Sequence, residues 1–170
     1  MLAALDQVYT AELPAVYGFL VRAGAERSQL EDLAHDVFVT AMRKWSTYDQ
    51  TRPVRPWLLG IAHRTLLDIR RRPSTRREVV GPVPDVIDEG ETGEDRVKSR
   101  QAQALVQLAL ESLDGERRRA FVLCELQGLT PNEVAEIMET PVATTYSRLR
   151  LAREEFGAAV RRIQLQRGET

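Results

Sequence analysis

The sequence predicts an all-α protein: two small helical domains joined by a flexible acidic linker, the second ending in a helix-turn-helix. Three observations carry that expectation. Apolar residues recur at helical spacing on both sides of a central stretch that lacks any such period. That stretch, residues 73–95 (PSTRREVVGPVPDVIDEGETGED), is rich in Pro, Gly and acid and reads as a linker. The segment Thr130 to Arg153 (TPNEVAEIMETPVATTYSRLRLAR) draws two helices with a tight break between them. The expected layout is a helical domain over 1–72, the linker over 73–95, a helix-turn-helix domain over 96–156 and a tail over 157–170.

Composition narrows the class. Of 170 residues, 43% are hydrophobic and 29% charged, which suits a soluble protein. No apolar run approaches the roughly 20 residues that span a bilayer, and Met1-Leu2-Ala3 lacks the basic start of a secretory signal. A cytoplasmic protein without membrane insertion is expected. Cys124 is the only cysteine, so a disulfide framework or cysteine zinc cluster is not available. The net charge of −1 is unevenly spread. Lys and Arg outnumber Asp and Glu by ten to eight over 1–72 and twelve to ten over 96–170, while 73–95 holds two against seven. Binding to nucleic acid would therefore rest on local patches rather than on overall charge.

In chain order, Leu5, Val8, Tyr9, Leu13, Val16, Tyr17 and Leu20 suit one or two amphipathic helices, with Pro14 at a first turn or a kink. Gly24 ends them. Ser28 followed by Glu31 has capping-box spacing and opens a helix to about Lys44. Its stripe is Leu30, Leu33, Ala34, Val37, Phe38, Ala41 and Trp45, and Glu31, Asp32, Asp36 and Arg43 lie off it. That charge order fits either the helix dipole or a binding face. Ser46 to Pro56 (STYDQTRPVRP) is a loop. Trp45, Tyr48 and Trp57 interleave there with Arg52 and Arg55, as on surfaces where unstacked bases rest on rings and guanidinium groups hold phosphates. The alternative is that both tryptophans close a helical core. Trp57 to Arg72 is a helix ending in three arginines, which either cap the dipole or, with Arg64, line a phosphate track.

Beyond the linker, Arg96 to Leu113 is a helix with Val97, Leu105, Leu108, Ala109 and Leu110 apolar. Asp114-Gly115 breaks it. Arg117 to Leu126 follows, with Phe121, Val122 and Leu126 inward and Cys124 packed beside them. Thr130 and Glu133 form a capping box with Pro131 at the first helical position, and Val134, Ile137 and Met138 give the stripe. Pro141 forbids a continuous helix. The next helix carries Thr145, Leu149, Ala152 and Phe156 on one side and Thr144, Tyr146, Ser147, Arg148, Arg150 and Arg153 elsewhere. A short helix, a turn and a polar basic helix is the plan that places its second helix in the DNA major groove. An ordinary helical hairpin with solvated arginines has the same pattern. Arg161 to Thr170 reads as a frayed tail.

The order EDLAHDVFVTAMRKW, STYD and RPWLLGIAHRTLLDIRRR resembles region 2 of the extracytoplasmic-function (ECF) sigma factors of bacterial RNA polymerase. Leu110 to Ala135 resembles region 4 of the same family, which binds the −35 promoter element. Together the two cover about 5–72 and 100–156. The resemblance implies a non-catalytic protein without cofactor or metal. It implies that Asp32, Asp36, Val39 and Arg43 contact core polymerase at the β′ clamp helices, with the β flap a further contact. Tyr48, Arg52, Arg55, Arg64, Asp68, Arg71 and Arg72 would serve the −10 element, on duplex and melted promoter DNA. Thr144, Tyr146, Ser147, Arg148, Arg150 and Arg153 would serve the −35 element. An anti-sigma factor is an implied partner, a small-molecule substrate is not, and the acidic linker would follow a basic channel in the polymerase. The chain departs from the family at Ala143 (usually Gly), Tyr146 (usually basic), Gly60 and Arg64 (often Arg and Asn) and His35 (a common Gln). Base preferences therefore do not carry over. A stand-alone dimeric helix-turn-helix regulator and a sigma-like protein that no longer melts DNA are the alternatives. An enzyme is disfavoured, because His35 and His63 lie mid-helix without partners at triad or metal-ligand spacing.

Overall fold

The structure, a computed structural model, describes residues 2–71 and 93–168. The linker expectation over 73–92 and the assignment of Arg72 fall outside the described residues. Every regular element among the described residues is helical: α1 (Leu2–Arg22), α2 (Leu30–Lys44), α3 (Val54–Arg71), α4 (Gly93–Glu111), α5 (Gly115–Phe121), α6 (Pro131–Met138) and α7 (Val142–Arg167).

Helices α1, α2 and α3 pack mutually, with Val16, Phe19, Leu20, Leu33, Val37, Leu58, Leu59 and Leu66 fully buried. Pro14 lies inside a single α1, on its exposed side, where the carbonyl it frees can meet water. Gly24, at φ +89°, ends α1 in the left-handed conformation. A Cβ there would come within 3.0 Å of Arg70 and 3.2 Å of Arg118. Those two side chains finish the helix: Arg70 donates to the Ala23 and Gly24 carbonyls at 3.0 and 2.9 Å, and Arg118 donates to that of Arg22. Carbonyls that a helix end leaves open are thus satisfied by cations, which the dipole also favours.

In the second half, α5 and α4 pack along α7, and α6 closes against α7. Asp114 caps α5 by accepting from the Arg117 amide at 2.9 Å. Buried apolar residues of both halves form one continuous cluster, in which Leu58, Leu59 and Ile61 join Leu123, Val134 and Ile137. The two halves meet chiefly where α3 crosses α6. At that crossing Gly60 is buried, and a Cβ on it would lie 3.7 Å from Ile137. Any long side chain at position 60 would have to displace α6.

Several sequence expectations are corrected. The Ser28 capping box does not form; a 3₁₀ turn over Arg27–Gln29 leads into α2 instead, without a side-chain cap. The acid-rich segment is already helical from Gly93, because Glu94 and Asp95 suit a first turn and Glu94 pairs with Lys98 at 3.0 Å. Val97 and Leu108 are exposed, as the buried side of α4 runs through Gln107, Ala109 and Leu110. Leu126 is exposed and Leu123 is buried, because a π-helical turn over Val122–Leu126 shifts the register. The expected tail from 157, frayed from Arg161, is helical to Arg167: Ala159 is buried, and Arg162 donates to Ser112 Oγ at 3.2 Å.

Candidate nucleic-acid interface

The helix-turn-helix is built as its sequence dictates. Glu133 N donates to Thr130 Oγ1 at 3.3 Å, and Thr130 N donates to Glu133 Oε2 at 2.8 Å, closing the capping box with Pro131 behind it. Glu139 ends α6 at φ +52°, the one described non-glycine residue in the left-handed region. Thr140 and Thr145 face each other across the turn at 3.1 Å, with Thr145 buried. Leu149 and Ala152 then anchor α7 in the core.

This anchoring leaves Thr144, Tyr146, Ser147, Arg150 and Arg153 exposed, as expected of a reading helix. Arg148, expected on the same outward surface, is turned inward: its side chain is only 20% exposed and donates to Glu116 of α5 at 2.6 Å, with Nη1 buried and unpartnered. The register explains this, since Arg148 lies next to the inward Leu149 and faces α5. Arg150 pairs with Glu154 at 2.9 Å and Arg153 with Glu125 at 2.7 Å. Arg153 also reaches Cys124. Even so, burial and Glu125 push the Cys124 thiol up, away from the reactive thiolate form.

Of the residues expected at the −10 element, Tyr48, Arg52 and Arg64 gather beside the loop between α2 and α3. Tyr48 stacks on Trp57 with centroids 4.6 Å apart, and Trp45 meets Trp57 edge-on at 6.0 Å. Trp57 is half-buried, with its ring packed against the core and beneath Tyr48. Beside this cluster lies a cavity of about 370 Å³ lined by Tyr48, Arg52, Trp57 and Arg64 on one wall and by Glu133, Glu136 and Ile137 of α6 on the other. Arg52 pairs with Glu136 at 3.2 Å and Arg64 with Glu139 at 3.6 Å, both across the seam. Arg55 is drawn away from the cluster: it donates to Glu12 of α1 at 2.7 Å and braces α1 to α3. Asp68 and Arg71 are exposed on the last turns of α3.

Asp32, Asp36 and Arg43 are exposed on α2 and Val39 is half-buried. Asp36, Val39 and Arg43 share a groove of about 300 Å³ with Thr65, Asp68 and Ile69 of α3. The acidic and basic ends of one helix thus flank a surface continuous with the end of α3. Sequence reasoning missed the acidic side of the seam. No local pattern singles out Glu136 or Glu139, and only the packing of α6 on α3 pairs them with arginines 84 and 75 residues away. Glu116 was equally hidden, since nothing local links it to Arg148. Among the described residues no group of His, Cys, Asp or Glu could hold a metal ion, and no helix is long and apolar enough to cross a membrane.

Residues 8–77 match the Sigma-70 region 2 family and residues 103–156 match Sigma-70 region 4. The chain is 32% identical over 157 residues to the ECF RNA polymerase sigma factor RpoE of Cereibacter sphaeroides, covering 88% of this chain and 82% of that protein. It is 27% identical over 153 residues to the ECF sigma factor SigE of Mycolicibacterium smegmatis, with 89% of this chain covered but only 59% of that relative's length. Among solved structures it is similar to the sigma factor RpoE of Bartonella quintana in complex with the anti-sigma factor NepR. That match has a TM-score of 0.74 and 21% identity over 92% of this chain and 96% of the other, and it shows the fold. Two helical regions in this order define a sigma-70-type protein. The chain belongs to the ECF sigma factors, the family of RNA polymerase specificity subunits.

Proposed function

We propose that this chain binds core RNA polymerase and directs promoter-specific initiation, reading the −35 element with α7 and the −10 element with the loop and end of α3. The observation that carries this reading is the pairing of two DNA-suited surfaces in one chain. One is a capped helix-turn-helix; the other is an aromatic cluster with arginines beside a cavity. A stand-alone regulator needs only the first. Region 2 would dock on the β′ clamp helices through Asp32, Asp36, Val39 and Arg43, and region 4 on the β flap. Melting would proceed by trapping unstacked bases at Tyr48 and its neighbours, where unstacking costs about a few kcal/mol per base. An anti-sigma factor is the natural partner of such a chain, as NepR is of the Bartonella protein.

In the free chain Glu136 and Glu139 partly neutralise Arg52 and Arg64, so these exposed ion pairs give way when the arginines meet phosphates. Exposed pairs of this kind are each worth about 0–1 kcal/mol. The ion pairs therefore add little to the seam, which is held chiefly by the apolar contact of α3 with Val134 and Ile137.

The test is co-purification with core polymerase. Asp36→Arg reverses a charge on the α2 groove without touching the core, and it is expected to lower retention at least tenfold. Full retention of the variant would move the polymerase contact off this face.

A further inference from the structure

The exposed face at the start of α7 carries two large side chains with apolar surface. Val142 is 42% and Tyr146 56% exposed, and their i, i+4 spacing sets them side by side on one face. Ala143, Thr144 and Ser147 complete the outward surface of these two turns. Arg148, which could supply a forked donor, is held inward by Glu116, while the exposed Arg150 and Arg153 lean on Glu154 and Glu125 further along the helix.

A recognition helix enters the major groove with its N-terminal residues against the base edges. In that groove the one apolar feature of any base pair is the C5-methyl group of thymine. Within the major groove, an isopropyl group and a phenol ring left in solvent at that end of the helix find their apolar counterpart in such methyls. We propose that Val142 and Tyr146 read thymine through its C5-methyl in the −35 duplex. Val142 is thereby a specificity residue, and the −35 element carries at least one thymine, on either strand, beneath the first turns of α7. This rests on the reading of α7 as the −35 helix, and its test separates the two.

The experiment uses the holoenzyme assembled from core polymerase and the full chain. The −35 sequence is first selected from random duplexes, and each thymine in it is then replaced by deoxyuridine, which pairs identically but lacks the methyl. Wild type should lose about fourfold in affinity for each methyl that is read, the value of one buried methyl-sized group. Val142→Ala, a change at an exposed helical position, should bind the thymine duplex more weakly and lose most of its sensitivity to deoxyuridine. Tyr146→Ala should do the same at a different thymine. Sequence-specific binding that is indifferent to deoxyuridine overturns methyl reading and leaves the −35 role of α7 intact. Absence of any selected sequence upstream overturns that role itself. Variants that keep full affinity and full deoxyuridine sensitivity, but lose an anti-sigma or polymerase contact, assign the patch to a protein partner and overturn the proposal.

Discussion

Arg148 lies on α7, the helix proposed to read the −35 element, but its side chain packs inside the domain. Its stem is covered and its guanidinium holds Glu116, so it positions α5 against α7. Arg148→Ala should lower stability by about 1–2 kcal/mol in denaturant unfolding, through lost packing and a lost charge-assisted bond. Arg148→Met should recover most of that, because it refills the space and removes an unpartnered nitrogen. If Arg148 instead reads bases, Arg148→Ala will keep wild-type stability and lose −35 binding. His63 makes a second residue-scale case. It is 4% exposed, neither ring nitrogen has a partner, and burial together with Arg119, Arg64 and Arg70 pulls its pKa from 6.5 to about 4. The folded pKa is depressed, so the unfolded chain takes up the proton first as pH falls. Stability is complete above about pH 6.5 and declines toward pH 4, by up to about 3 kcal/mol. His63→Leu should flatten that part of the stability–pH curve. An unchanged slope between pH 6.5 and 4 would show that other groups cause it.

At the scale of elements, the helix-turn-helix was legible because its signals are local. Capping residues, a proline at the first position and a second proline after the break each act within four residues. Thr130→Ala should cost about 1 kcal/mol, measurable by thermal unfolding. The α2 stripe was equally plain, with Leu30, Leu33, Ala34, Val37, Phe38 and Ala41 all buried. The segment after α5 was not legible, since a π turn has no sequence signature and advances the chain by one extra residue. Leu123→Ala should therefore cost about 2–5 kcal/mol in unfolding free energy, whereas Leu126→Ala should stay within about 0.5 kcal/mol. Equal losses at the two positions would restore the simple helical register. The end of α7 was misread for another reason. Ala159 and its neighbours are covered by α4, a partner about 50 residues back that no local pattern announces.

For the whole molecule, the two regions were visible as separate periodic blocks, but their contact was not. The seam depends on Gly60 letting α6 approach and on apolar contact between residues far apart in sequence, with exposed charge pairs at its edge. Glu136→Gln combined with Glu139→Gln should remove the partners of Arg52 and Arg64 and free them for phosphates. The free variant should then bind single-stranded −10 DNA severalfold more tightly than wild type in a fluorescence titration; equal affinity would mean that these pairs do not mask the site. The central claim is that one chain carries both promoter-reading surfaces for the polymerase. In vitro transcription with purified core polymerase on a library of random upstream sequences tests it most directly. Start sites that appear only with this chain, each preceded by two shared sequence elements, are the predicted result. No initiation, together with sequence-specific retention of duplex DNA by the chain alone, would contradict the account and leave a stand-alone helix-turn-helix regulator.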